Sequence, residues 1–267
     1  MPNRIDARFQ KLRESKKAGF IAYITAGDPA PESTPAIAAA LEEAGVDILE
    51  LGIPFSDPLA DGATIQAAAG RAIAAGTNIS VVLDIVRRIR KTSEIPIVLF
   101  TYLNPVYVFG YGRFLREASA AGADGLLILD LPPDEESINA ELTGAHGLLS
   151  IRLIAPTTPP GRMEMIARSA EGFVYYVSRE GVTGEQASLS QSISSQVAEI
   201  RKHTALPVAV GFGISTPDQA REVAQQADAV VVGSAIVRQI AEAGNSPGLA
   251  EKIASFARPL AAAVKGA

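Results

Sequence analysis

The chain contains no cysteine and no tryptophan, and only two histidines in 267 residues. The lack of cysteine excludes disulfides, thiolate metal sites and cysteine nucleophiles. Both histidines, His146 and His203, fall at the ends of helical segments that lead into a following strand, the wrong face of a strand–helix repeat for catalysis. None of the seven lysines stands at the end of a strand, which leaves a Schiff-base aldolase without a nucleophile. No H-x-H or clustered histidine–carboxylate pattern points to a catalytic metal. The opening MPNRIDARFQKLRESKKAGF is charged throughout, with no apolar h-region and no small-residue cleavage site. The longest apolar runs, such as Gly125–Leu129, are strand-sized and far short of a membrane span. A soluble cytoplasmic protein is therefore expected. With 24 basic against 29 acidic residues, a net charge of −5 disfavours non-specific binding to nucleic acid or an anionic membrane.

What is present is a globular composition, 48% hydrophobic and 20% charged, which excludes a disordered or fibrous chain. At about 150 residues per domain the length does not decide between one domain and two. Apolar, β-branched runs recur at Phe20–Thr25, Asp47–Leu51, Ile95–Thr101, Gly125–Leu129, Leu149–Leu153, Gly172–Val177, Pro207–Gly211 and Ala229–Gly233. Most are bounded by Gly, Pro or Asp, as buried parallel strands are. Between them lie segments of helical spacing, among them Glu32–Ala44, Ile79–Arg90, Tyr111–Ala121 and Ser192–His203. Strand–helix alternation implies crossover units and a parallel sheet, and eight strands is the number that closes a (β/α)₈ TIM barrel. Three joints echo one another, at Ala44–Glu50, Ala121–Leu127 and Gln226–Val232, each placing a small residue and an Asp just before a strand. No linker divides the chain, so one barrel domain over residues 1–267 is expected. An open doubly wound sheet is the alternative, but no G-x-G-x-x-G follows the first strand. Two additions exceed a minimal barrel: an N-terminal helix at Ile5–Glu14, placed to plug the barrel bottom, and long loops after the second and sixth strands, Leu51–Ile65 and Ser178–Leu189. Both loops belong to the C-terminal face, where barrel active sites are built.

Carboxylates and hydroxyls are what remain for chemistry at that face. Period-two alternation in Val46–Pro54 puts Ile48, Glu50 and Gly52 on one face and Leu49 and Leu51 on the other. The two leucines suit the helix-packed outside, so Glu50 is expected to point into the barrel mouth, where apolar surroundings raise a carboxyl pKa toward neutrality. A buried glutamate with a structural partner is the competing reading. Ser56, Asp57 and Asp61 lie in the following loop, where turn or helix capping is an equal alternative. Tyr175 has inward parity on the sixth strand, for core packing or substrate contact. Gly211-Phe-Gly-Ile-Ser215 closes the seventh strand, and Gly233-Ser234 closes the eighth and opens a helix. Glycines at these two adjacent strand ends suit a phosphate held by backbone N–H groups and a helix N-terminus. Gly181-Val-Thr-Gly184 adds a third glycine element.

These residues carry a family resemblance that runs nearly end to end. Tyr23-Ile-Thr-Ala-Gly-Asp-Pro29, Glu50-Leu-Gly-Ile-Pro-Phe-Ser-Asp-Pro-Leu-Ala-Asp-Gly62, Asp130-Leu-Pro-Pro133, Leu153-Ile-Ala-Pro-Thr-Thr158, Ser178-Arg-Glu-Gly-Val-Thr-Gly184, Gly211-Phe-Gly-Ile-Ser215 and Gly233-Ser-Ala-Ile-Val237 resemble the α subunit of tryptophan synthase. The chain departs from the usual pattern at Ala63 and Leu129, where family members often have Pro.

The resemblance implies a lyase of tryptophan biosynthesis that splits indole-3-glycerol phosphate by a retro-aldol reaction into indole and glyceraldehyde 3-phosphate. It makes Glu50 and Asp61 the catalytic pair, the first shuttling protons and the second stabilising charge on the ring nitrogen. Tyr175 would position Glu50 and substrate, and Thr183 would bond Asp61 on loop closure. Gly184, Gly213, Gly233 and Ser234 would hold the phosphate, with Tyr23, Phe100, Leu127 and Phe212 as walls. The family hands indole to a β subunit carrying pyridoxal phosphate, in an α₂β₂ heterotetramer, and no cofactor is expected in this chain. Pro54, Phe55, Asp57, Pro58, Tyr102, Asn104, Pro105 and Pro132 would form the interface. A stand-alone lyase releasing free indole and a non-catalytic activator of a partner enzyme are the alternatives.

Overall fold

In the computed structural model, residues 3–131, 135, 143–178, 186–211 and 213–266 are described, the side chains of 186–192 apart. Parallel strands run in the order of the chain around a nearly closed barrel. They are β1 (Gly19–Thr25), β2 (Ile48–Gly52), β3 (Ile97–Thr101), β4 (Gly125–Ile128), β5 (Leu149–Ser150), β6 (Arg152–Ile154), β7 (Val174–Val177), β8 (Val208–Gly211) and β9 (Ala229–Val232). β1 pairs with both β2 and β9, which joins the first stave to the last.

The nine segments make eight staves. The fifth predicted strand is split: Leu149–Ser150 pairs with β4, and Arg152–Ile154 pairs with β7. Ile151 sits between them, its N–H donating to the Leu126 carbonyl at 2.9 Å. One apolar run thus changes neighbours part-way along.

Strands buried on both faces need an apolar residue at nearly every position, which is why they read as continuous runs. The two faces feed two core layers. Ala22, Ile24, Leu49 and Leu51 pack outward against the helices. Ile21, Tyr23, Ile48, Val98, Phe100 and Leu127 fill the barrel interior.

The repeated Asp joint has a common mechanism. Asp47, Asp124 and Asp228 each accept a backbone N–H of the neighbouring stave, from Phe20 at 2.7 Å, Ile97 at 2.8 Å and Val208 at 2.9 Å. The N–H of each Asp donates back to the carbonyl of that same residue. A cation meets each carboxylate: Lys265 at Asp47, Arg90 and Arg4 at Asp124, and Arg201 at Asp228. Each Asp therefore sets the register of two adjoining strands from the barrel bottom.

The N-terminal helix α1 (Arg4–Glu14) is capped by Asn3, whose side chain accepts the Ile5 N–H. Its Ile5, Phe9 and Leu12 are buried in the interior layer. Glycines make the room: a Cβ on Gly125 would lie 2.9 Å from Ile5 Cδ1, and one on Gly172 3.2 Å from Ile5 Cγ2.

At the other end, α3 (Ala63–Ala74) starts after a ten-residue loop from Ile53 to Gly62. The helix after β7 begins at Gln186, so the segment expected to be loop through Leu189 is helical in its last four residues; residues 179–185 lie outside the described residues. Among the described residues no single helix is long and apolar enough to cross a membrane.

Candidate active site

Glu50 sits near the end of β2, facing inward as its parity requires, and only 1% of it is exposed. Among the described residues neither carboxyl oxygen has a hydrogen-bond partner. Burial alone pushes its pKa from 4.5 to about 8, because nothing nearby repays the desolvation of its charge. The competing reading, a glutamate held by a structural partner, finds no such partner among the described residues.

A chamber of about 130 Å³ opens beside it, lined by Tyr23, Glu50, Ile65, Phe100, Tyr175, Val177, Ser178, Gly211, Gly213, Val231, Gly233 and Ser234. Two tyrosines reach into the space over glycines. A Cβ on Gly52 would come within 2.2 Å of the Tyr23 hydroxyl, and one on Gly211 within 2.3 Å of the Tyr175 hydroxyl. Both phenols are held well above their ordinary pKa, first by burial and then by carboxylate charge. Phe100 meets Tyr23 edge-on, with ring centroids 5.1 Å apart. Leu127, expected as a wall, lies fully buried in the interior layer and does not line the chamber.

Asp61 is half-buried on the loop after β2. Burial raises its pKa to about 6, and a hydrogen bond from Tyr102 opposes the rise. Tyr102, just past β3, also accepts the Ala60 N–H at 3.0 Å. Ser56 and Asp57 bond each other on the exposed part of the loop, at 2.6 Å.

The opposite wall suits an anion. Gly213 holds a left-handed backbone, φ +51°, that a side chain would strain. Gly233 caps the helix Ser234–Ala243, whose first N–H groups have no intrahelical acceptor. Free N–H groups and the helix dipole together favour a phosphate there. Thr183, Gly184 and Phe212 lie outside the described residues, as does Pro132.

Ile65, Val177, Ser178 and Val231 are chamber residues that the sequence reading missed. Val177 was visible as the next inward position after Tyr175, but Ile65 belongs to a helix with no such marker.

Beside the mouth, a groove of about 660 Å³ is lined in part by Pro54, Phe55, Asn104, Pro105, Val108 and Phe109. Leu59, Tyr107 and Val108 are apolar residues left largely exposed around it. Phe55 packs on Tyr102, ring centroids 5.4 Å apart.

The sequence model described as tryptophan synthase alpha chain matches residues 9–265. The chain belongs to the tryptophan synthase alpha chain family. It is 48% identical over 262 residues to the tryptophan synthase alpha chain of Geobacter sulfurreducens, covering 98% of this chain and 99% of that one. It is 50% identical over 264 residues to that of Opitutus terrae, with the same coverage. Its structure is similar to that of the tryptophan synthase alpha subunit of Legionella pneumophila, with TM-score 0.91, 40% identity and 99% of each chain covered. A chain of tryptophan synthase from M. tuberculosis matches with TM-score 0.88 and 34% identity over 98% of each chain. The family is one of carbon–carbon lyases in tryptophan biosynthesis that cleave indole-3-glycerol phosphate.

Proposed function

We propose that Glu50 and Asp61 divide the chemistry of indole-3-glycerol phosphate cleavage between a proton shuttle and a fixed negative charge. The observation that carries this reading is a buried carboxyl with no partner among the described residues, its pKa raised to about 8, beside a second carboxyl with a pKa near 6. Between those values Glu50 holds a proton while Asp61 is ionised, the separation that acid and base roles need.

Protonated Glu50 gives its proton to C3 of the indole ring, and positive charge develops on the ring nitrogen. Asp61 stabilises that charge and accepts the ring N–H. The Glu50 carboxylate then takes the proton of the glycerol C3′ hydroxyl. As the aldehyde carbonyl forms, the C3–C3′ bond breaks and its electron pair restores the aromatic ring. Glu50 ends protonated, as it began. Gly213, Gly233 and Ser234 hold the phosphate, and the family resemblance adds Gly184 there and gives Thr183 a bond to Asp61. Tyr23, Phe100, Phe212 and Leu127 shape the pocket, Leu127 from behind the wall.

The protein works in this reading as one cytoplasmic barrel domain in an α₂β₂ heterotetramer, with pyridoxal phosphate in the β subunit and no cofactor of its own. The exposed apolar residues around Pro54, Phe55, Tyr102, Asn104 and Pro105 support a partner there; Asp57 and Pro58 follow on the same loop, and the family resemblance adds Pro132. Steady-state formation of indole, with and without a β subunit, tests the assignment. Turnover that rises with the β subunit and disappears in Glu50→Gln is expected. Wild-type turnover in Glu50→Gln would remove Glu50 from the mechanism.

A further inference from the structure

Tyr23 and Glu50 are direct partners in the β1–β2 register, and both line the chamber. The Tyr23 hydroxyl lies over Gly52, where any side chain would exclude it. Its hydrogen-bonding contact is a long one, 3.4 Å to the buried Thr25 hydroxyl. Among the described residues, a buried phenol with one weak contact therefore stands beside a buried carboxyl with none. Each of these groups carries an unpaid desolvation cost that a shared hydrogen bond relieves.

We infer that the Tyr23 hydroxyl, anchored by Thr25 over Gly52, is a positioning group that hydrogen-bonds Glu50 in both of its protonation states during turnover. The inference rests on the reading of Glu50 as proton shuttle and adds a residue whose hydroxyl that reading leaves without a task.

The chemistry favours a phenol over other polar groups. A hydroxyl donates to a carboxylate and accepts from a carboxylic acid. An ammonium or guanidinium would hold Glu50 ionised, and an apolar wall would hold it protonated. The shuttle needs both states. The phenol also does not compete for the proton, because burial and the charges of Asp61 and Glu50 keep it neutral. Among the described residues, the titratable groups facing this space are Glu50 from β2, Tyr175 from β7 and, from the mouth, Asp61 and Tyr102. Val98, the Glu50 partner on β3, is apolar.

Tyr23→Phe keeps the ring and removes one oxygen. Cleavage kinetics from about pH 5 to 10 should show kcat down about tenfold with KM within about twofold. A donor to the carboxylate lowers its pKa, so losing it should move the alkaline limb of the profile to higher pH by roughly half a unit or more. Thr25→Val should move the limb the same way by less, and Thr25→Ser should leave it in place. An alkaline limb unmoved in Tyr23→Phe, or a loss confined to KM, would overturn the inference and leave Tyr23 as wall alone. Glu50→Gln, assayed alongside, separates the two failures. Wild-type cleavage there unseats Glu50 itself, whereas an inactive Glu50→Gln with a wild-type Tyr23→Phe profile overturns only the part given to Tyr23.

Discussion

The Tyr102 hydroxyl donates to Oδ2 of Asp61 at 3.0 Å, across 41 residues of chain. This bond joins the end of β3 to the loop after β2, and it favours the ionised form of Asp61 against its burial.

Removing it should raise the Asp61 pKa above about 6. If Asp61 must be ionised to act, activity is lost as pH falls through that value. Tyr102→Phe should therefore move the acidic limb of kcat/KM to higher pH, by roughly half to one unit. The pH–rate profile checks this, and an acidic limb at the wild-type position would show that Tyr102 does not tune Asp61.

Glu50 should weaken the fold at alkaline pH. Its carboxyl pKa is raised in the folded barrel, from 4.5 to about 8, so the folded state binds more protons than the unfolded state between those values. Stability from this group is full below pH 4.5 and is lost as pH rises toward 8. Glu50→Gln, which cannot ionise, should match wild type in acid and exceed it at alkaline pH by about 2–4 kcal/mol. Denaturant unfolding at the two extremes measures the difference. Cleavage by the same variant should drop by about 10²–10⁴-fold.

Gly52→Ala should damage the chamber from within. Its new Cβ would collide with the Tyr23 hydroxyl and ring, forcing that side chain to shift within the chamber. Overpacking of this kind costs about 1–3 kcal/mol. A lower Tm and a fall in kcat are expected, with inorganic phosphate still bound at the far wall. Wild-type Tm and kcat would mean that Tyr23 has room the structure does not show.

The three Asp joints should differ in worth according to burial. Asp124 is 3% exposed and faces Arg90, itself 10% exposed, whereas Asp228 and Arg201 are 41% and 47% exposed. Asp124→Ala removes the carboxylate facing the buried Arg90 guanidinium, which among the described residues then keeps only the Gly122, Ser93 and Ile95 carbonyls, and should cost about 3–5 kcal/mol. Asp228→Ala should cost about 1 kcal/mol, mostly through its bond to the Val208 N–H. Equal losses in chemical denaturation would show that the ion pairs are not what separates them.

Much of this was legible in the sequence because burial on both faces writes a strand as an unbroken apolar run. Glu50 stood out as the charge inside such a run, and parity gave its direction. The break at Ile151 was not legible, since an apolar run does not record which neighbour its amides bond. Nor was the hold of Tyr102 on Asp61, which joins residues far apart in the chain and leaves no local pattern. Tyr102 is expected at a partner surface, and its hydroxyl also bonds Asp61 on the loop after β2. Leu127 has the inward parity of a wall residue and pairs in register with Phe100, which lines the chamber, yet it is fully buried and does not line the chamber itself, a difference that parity does not encode.

Ile5 fits where Gly125 and Gly172 have no side chains, and with Phe9 and Leu12 it stoppers the barrel base. If Glu50 is the proton shuttle, an uncharged product released beside it finds the base closed by these described residues and leaves toward the mouth. A partner docked at the mouth would then decide where the product goes.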